Sequence, residues 1–394
     1  MLTLSECGGE FHAFGGDGEF IYAHSEDITD TLIEKYGGKV KLIYLDPPFG
    51  TGATFEFKDK TAAKAYSDIL DREECTSLMR KVLICCRELL SEDGSIYLHI
   101  DYRLSGVMRR TMDEIFGEAN LMNEIIWSYK SGGRAIKHFS RKHDTILFYR
   151  KSKSVYFNIK AAGVMRGSDR RNHMKRRADE DGRIYYAIRS NGKEYRYYED
   201  DLIYPSDVWD DIEHLHQRDP ERTGYATQKP EALLKRIISV STEPGDLVMD
   251  LFAGSGTTAA AAVKLDRRFV IADCSMASML ASRRRILTLH PNDDMLSDAK
   301  PFTVNYASAP SALTAENAEK LIDMEPAEGG FDVNIHKGGE EGCAYAACGS
   351  ICDGVFHARD YVIKPMNSEK LFVREGEALH LVDYNCSQGY FDLA

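Results

Sequence analysis

Apolar and polar positions fall into two kinds of block along this chain. Short apolar runs at 40–45 and 95–100 flank a helical period over 75–90, and Gly94 marks the turn from helix to second run. Residues 103–116 repeat the helical period, with Leu104, Val107, Met108, Met112 and Ile115 on one side, and 124–127 and 145–149 read as strands. Between about 127 and 224 the period dissolves into a charged, tyrosine-rich stretch. Order then resumes: a helix over 230–240, a strand over 247–251, a helix over 257–265 and a strand over 268–272. This alternation predicts an α/β fold built on a largely parallel sheet and split by an insertion. Beyond Pro291 the chain becomes turn-rich, with β-like runs at 361–363, 370–373 and 378–382. The expected division is therefore 1–126 and 225–292 as two halves of one domain, 127–224 as the insertion, and 293–394 as a small, β-rich C-terminal domain.

Length and composition narrow the class. A chain of 394 residues, 43% hydrophobic and 28% charged, is expected to form about two or three globular domains. Its apolar runs fall short of the roughly 20 residues that span a bilayer, and the first residues lack a secretory pattern, so the expected compartment is the cytoplasm. Nine cysteines, at 7, 75, 85, 86, 274, 343, 348, 352 and 386, show no disulfide-like spacing and suit a reducing environment. Cys343, Cys348 and Cys352 with His357 lack the short paired spacing of a structural zinc site, so packing is preferred and no metal is assigned.

Charge changes the picture more. The net charge is −12, yet residues 127–200 hold 19 Lys+Arg against 8 Asp+Glu, while 301–394 hold 6 against 15. A basic segment inside an acidic protein is either a solvated face or the footprint of a polyanion. The motifs decide between them.

Asp250-Leu-Phe252-Ala-Gly254-Ser255-Gly256-Thr257-Thr258 follows a predicted strand and opens an alanine-rich helix. Its glycines allow a tight turn and close backbone approach, and the helix start offers unpaired N–H groups. Asp273 ends the next strand, 19 residues after Gly254, where a carboxylate can accept ribose hydroxyls. Together these describe an adenosine-containing cofactor. Gly254, Gly256 and Ala259 also satisfy the dinucleotide pattern, so the loop alone separates neither a nicotinamide cofactor nor S-adenosylmethionine. The second motif, Asp46-Pro47-Pro48-Phe49, follows the strand at 40–45, hence at the strand's carboxyl end where open α/β sheets bind ligands. Two prolines fix the backbone there and aim the Asp46 carboxylate and the Pro47 carbonyl at one point.

The D-P-P-F motif, the F-x-G-S-G-T-T loop downstream, and Thr227-Gln228-Lys229-Pro230 before the second block resemble the DNA amino-methyltransferases of the β arrangement. The resemblance covers roughly 20–290 and implies a Rossmann-like methyltransferase sheet with helices on both faces, S-adenosylmethionine as cofactor, and a target-recognition region at the insertion. It gives Asp46, Pro47, Pro48 and Phe49 the catalytic role. It gives Asp250, Phe252, the loop Gly254, Ser255, Gly256, Thr257 and Thr258, Asp273 at the ribose, and Lys229 near the amino-acid end to the cofactor. An exocyclic amino nitrogen is a poor nucleophile because its lone pair is delocalised into the ring. Two acceptors, Asp46 and the Pro47 carbonyl, would localise that pair, with Phe49 stacked on a base flipped from the duplex.

By the same resemblance the initial aspartate favours adenine N6, and cytosine N4 or a silent recognition subunit are the alternatives. Phe49 replaces the frequent tyrosine, which keeps the stacking face. Residues Tyr22–Asp27 stand where relatives carry a Gly-Asp pair, so no contact is assigned there. Within the insertion Arg134, Lys137, Arg141, Lys142, Arg170, Arg171, Lys175, Arg176 and Arg177 are candidate contacts to double-stranded DNA. Tyr185, Tyr186, Tyr195, Tyr197 and Tyr198 lie among them, as core or as stacking surfaces. The chain lacks a P-loop or a nuclease segment, so cutting DNA would need a restriction subunit; a homodimer is the other partner expected.

Overall fold

The computed structural model describes residues 2–5, 9–12, 17–48, 54–56, 64–67, 72–130, 135–167, 174–225, 227–289, 302–307, 311–336, 342–363, 369–385 and 387–393. At its centre Gly18–Tyr22, Arg268–Asp273, Leu247–Asp250, Val40–Leu45 and Leu90–Ile100 run parallel in that spatial order. His143–Arg150 then pairs antiparallel with Leu90–Ile100, Leu121–Ser128 antiparallel with that strand, and Val208–Trp209 parallel with Leu121–Ser128.

Strand alternation sends successive side chains to opposite faces, and each face has its own helices. Leu42 and Tyr44 lie in one core with Leu233, Leu234, Ile237, Ala259, Ala262, Met279 and Ile286, from helices Glu231–Ser241, Thr257–Lys264 and Met276–Leu287. Ile43 and Leu45 lie in the other, with Leu32, Met79, Leu83, Met108 and Met112, from helices Thr29–Tyr36, Arg72–Leu89 and Ser105–Phe116. The α/β sheet with helices on both faces expected from sequence is the observed architecture. No helix among the described residues is long and apolar enough to cross a membrane.

The insertion and the tail attach in ways local patterning does not reveal. His143–Arg150 and Val208–Trp209, both within 127–224, belong to the central sheet. Lys175–Ala178, Ile184–Ser190 and Lys193–Tyr198 form a three-stranded antiparallel sheet of their own, turned at Asn191-Gly192, both at positive φ. Tyr185 and Tyr186 are buried there, while Tyr195 is exposed. The acidic tail supplies antiparallel strands Cys343–Cys352, Val355–Ile363, Ala378–Asp383 and Gln388–Leu393. They hydrogen-bond in series onto the central sheet: Val355–Ile363 pairs with Gly9–His12, which pairs with Phe302–Tyr306, which lies against Gly18–Tyr22.

Candidate active site

Val40–Leu45 and Leu247–Asp250 are parallel neighbours, with Ile43 opposite Met249. From the first, the chain crosses through helix Arg72–Leu89 to Leu90–Ile100 on one side; from the second, through Thr257–Lys264 to Arg268–Asp273 on the other. Chain direction thus reverses between them, and the segments leaving their carboxyl ends open a crevice, the place where α/β sheets take ligands. Asp46-Pro47-Pro48 leaves one end and residues 251–256 leave the other. The two motifs, 200 residues apart in sequence, meet here.

The glycine loop is held from inside. Asp250 is buried and accepts the Phe252 N–H at 2.9 Å and the Thr258 hydroxyl at 2.5 Å. Burial, with Asp46 and Asp273 nearby, pushes its carboxyl up to about 7. Gly254 and Gly256 adopt φ of 51° and 71°, and a Cβ on Gly256 would meet the Ser282 Oγ at 2.7 Å. The Thr257 hydroxyl lies 2.9 Å from that of Ser255, donates to the Lys229 carbonyl at 3.3 Å and accepts from Arg285 at 3.0 Å. Arg285 also pairs with Glu221 and Glu231, tying the segment before helix Glu231–Ser241 to the loop. Phe252 packs, partly buried, against the second core.

Asp273 accepts the Gly254 N–H at 2.9 Å through one carboxylate oxygen and the Ser275 N–H at 2.8 Å through the other, so it braces the loop. Each oxygen keeps a second lone pair that can meet a ribose hydroxyl. Residues Tyr22–Asp27, left without a role by the sequence, also support this wall: Ala23 N–H donates to the Asp273 carbonyl at 3.1 Å and the Ser25 hydroxyl to the Leu251 carbonyl at 2.5 Å.

On the opposite wall the Lys229 side chain reaches Asp46, its Nζ 2.5 Å from Asp46 Oδ2, while its carbonyl meets the Thr257 hydroxyl of the glycine loop. Asp46 Oδ1 is buried and accepts no hydrogen bond among the described residues. Pro47 is buried and the Pro48 carbonyl accepts from the Cys75 thiol at 3.5 Å. Phe49 lies outside the described residues. Behind Asp46 runs a chain that sequence reasoning missed. Tyr44 Oη lies 2.8 Å from His99 Nδ1, and His99 Nε2 lies 3.1 Å from Asp144, which also accepts the Tyr129 hydroxyl at 3.3 Å. A proton on Nε2, shared with the carboxylate, leaves Nδ1 to accept from Tyr44. Burial alone would raise the Asp144 carboxyl, but the hydrogen bond from His99, with Lys229 nearby, holds it below the usual range. Spacings of 45 and 55 residues carry no periodic signal that could have paired these groups.

The basic candidates separate into two places. Lys137, Arg141 and Lys142 lie on the loop between Leu121–Ser128 and His143–Arg150, beside this rim; Arg141 donates to Tyr102 Oη at 2.7 Å. Lys175, Arg176 and Arg177 lie on an exposed strand of the three-stranded sheet, where Arg176 pairs with Glu199 and Arg177 with Glu194. Arg134, Arg170 and Arg171 lie outside the described residues.

An adenosine-containing cofactor fits this crevice. Two left-handed glycines, one with no room for a Cβ, shape the loop, the first-turn N–H groups of Thr257–Lys264 face it, and Asp273 stands at its side. The facing wall presents an unsatisfied carboxylate oxygen. The crevice thus sets a glycine loop with room for a cofactor at one strand end beside a carboxylate oxygen able to accept polar hydrogens at the next.

The family model described as DNA methylase matches residues 40–280, and the chain belongs to that family. S-adenosylmethionine is its cofactor. The chain is 32% identical over 303 residues to the Type II methyltransferase M.EcaI of Enterobacter cloacae, covering 65% of this chain and 66% of that one, just under two thirds of the relative's length. It is 29% identical over 306 residues to the DNA adenine methyltransferase YhdJ of Escherichia coli (strain K12), covering 76% and 94%. Among solved structures, the M1.HpyAVI–SAM complex aligns with a TM-score of 0.43 at 18% identity, covering 69% of this chain and 100% of that one.

Proposed function

We propose that this protein methylates the N6 amino group of adenine in double-stranded DNA, after turning the base out of the helix, and that its motif blocks follow the β arrangement. One observation carries the reading: the buried Asp46 Oδ1, without a partner, at the crevice between the two motif-bearing strands. S-adenosylmethionine, held by the loop 254–258 with Asp273 at its ribose, supplies an electrophilic methyl on a positively charged sulfur. Lys229 holds Asp46 in place through Oδ2. That leaves Oδ1 to accept one amino hydrogen while the Pro47 carbonyl accepts the other, which localises the nitrogen lone pair toward the glycine loop. The same carboxylate is a base placed for the proton that the alkylated nitrogen sheds. Orientation and fixed dipoles do the work, and the duplex pays a few kcal/mol to release the base.

Adenine is supported by the aspartate that opens the motif and by the names of relatives such as the Escherichia coli enzyme. Lys137, Arg141, Lys142, Lys175, Arg176 and Arg177 support duplex binding through phosphate contacts, which position DNA without reading sequence. Relatives named Type II methyltransferases support pairing with a restriction nuclease, and cysteines outside any disulfide at Cys85, Cys86, Cys274, Cys343, Cys348 and Cys352 suit the reducing cytoplasm. Light scattering distinguishes the expected homodimer from a monomer.

The test is to incubate the protein with S-adenosylmethionine and unmethylated genomic DNA, digest to nucleosides, and identify the product by mass spectrometry. N6-methyldeoxyadenosine is the expected product. N4-methyldeoxycytidine would keep the site chemistry and overturn the base, and an unmodified digest would overturn the function.

A further inference from the structure

Two large apolar side chains stand almost wholly in water beside the crevice: Ile136 is 99% exposed and Phe139 98%. No other large hydrophobic side chain among the described residues exceeds 66%. Isolated exposed apolar groups are ordinary, but a neighbouring aliphatic–aromatic pair at full exposure leaves hydrophobic stabilisation unused in the free protein.

The loop that carries the pair is anchored at the rim. Tyr129 N–H donates to the Lys142 carbonyl at 2.9 Å and closes it, and Ala135 N–H donates to the Ser140 hydroxyl at 3.1 Å. The Arg141 guanidinium lies 4.1 Å over the Tyr102 ring, just past the carboxyl end of Leu90–Ile100. That strand is the parallel neighbour of Val40–Leu45, with Leu98 opposite Leu45, and His143–Arg150 is the next strand over. Two strand spacings put the start of His143–Arg150, where the loop rejoins the sheet, about 10 Å to the side of the end of Val40–Leu45. Residues 135–142 carry Lys137, Arg141 and Lys142 and no acid.

An apolar tip in a cationic setting suits one partner above others. Duplex DNA presents an anionic exterior and an apolar, planar interior that opens when a base leaves the stack. A second copy of this chain, acidic overall, offers the charge but not that interior.

We propose that Phe139, with Ile136 beside it, enters the base stack at the target step and fills the space vacated when the base turns toward Asp46. This rests on the function proposed above. Both side chains lie in solvent, so their removal leaves the folded core intact. The test compares wild type, Ile136→Ala/Phe139→Ala and Lys137→Ala on two short duplexes bearing the modified sequence mapped from methylated genomic DNA. In one the target base is paired, and in the other it faces an abasic site and costs little to extrude.

The double variant is expected to lose about tenfold or more in kcat/KM on the paired duplex and to stay within about threefold of wild type on the abasic one. Lys137→Ala is expected to weaken both substrates alike and to lower the salt dependence of binding. Equal losses of the double variant on both duplexes, or no loss on either, would overturn the proposal. So would a dimeric wild type that the double variant turns monomeric, since the pair would then be a subunit interface. A wild type that methylates no DNA overturns the underlying function and this inference with it, whereas an active wild type with an unaffected double variant overturns this inference alone.

Discussion

Asp46 and Glu10 are both removed from bulk water, and the chain treats them in opposite ways. Glu10 is fully buried where strand Gly9–His12 joins the tail strands to the central sheet. One of its oxygens accepts the Tyr345 hydroxyl at 2.5 Å, while the other lies 2.8 Å from Arg283 and 3.2 Å from His380. Arg283 goes on to Tyr306, Tyr306 to Gln388, and Gln388 to His380, closing a ring of partners across the seam. Asp46 has Lys229 on one oxygen and, among the described residues, no hydrogen-bond donor on the other. A carboxylate that builds structure has both oxygens engaged from within the fold. Asp46 keeps one acceptor unengaged, as the proposed function requires, and a single ion pair and two prolines hold the group in place.

Breaking the seam should have the largest effect on stability. Arg283→Met leaves Glu10 buried without its cation, and loss of one partner of a buried pair costs about 3–5 kcal/mol, so thermal melting should fall steeply. Glu10→Gln with Arg283→Met removes both charges and should recover part of that loss; a double variant no better than the single one would show that the ion pair is not what holds the seam.

At the crevice the expected effect is smaller and depends on pH. Burial raises the Asp250 carboxyl to about 7, so the folded protein keeps a proton there that the unfolded chain has released above about pH 4. The stability this protonation contributes is complete at low pH and is lost as pH rises through 7, about 2 kcal/mol between pH 5.5 and 8. His380 acts in the opposite sense, since burial pushes its pKa down and acid favours its protonation in the unfolded chain. The comparison is therefore between wild type and Asp250→Asn, in which the His380 contribution cancels: melting of the variant should lack the alkaline decline due to this carboxyl. Matching pH profiles would remove the account of Asp250. Gly256→Ala should have the smallest effect on stability, about 1–2 kcal/mol for a left-handed non-glycine residue, with weaker S-adenosylmethionine binding by calorimetry because Ser282 must shift.

Local periodicity carried the central elements to within a few residues. The run expected at 40–45 is strand Val40–Leu45, and the loop between Leu247–Asp250 and helix Thr257–Lys264 falls where the glycines demanded it. Placement was legible where short motifs encode it: Asp46 follows one strand end, and Gly256 makes the left-handed turn after its parallel neighbour. What escaped was anything set by register between distant strands. Tyr44, His99 and Asp144 come from three strands that become neighbours only in the sheet. Lys229 read as a helix-start residue or a cofactor contact, and its pairing with Asp46 spans 183 positions. The tail read as a separate unit because its own strands are patterned locally, while the bridge to the central sheet is the short strand Gly9–His12 at the other end of the chain.

In the proposed function Asp46 Oδ1 is the acceptor that makes an amino nitrogen nucleophilic. Single-turnover methyl transfer by Asp46→Ala, with S-adenosylmethionine and DNA affinities measured on the same preparation, tests it most directly. The expected rate is about 10²–10³-fold below wild type or lower, with both affinities within about threefold of wild type. A variant that transfers methyl at nearly the wild-type rate, or one whose loss is matched by an equal loss of DNA or cofactor binding, would contradict it.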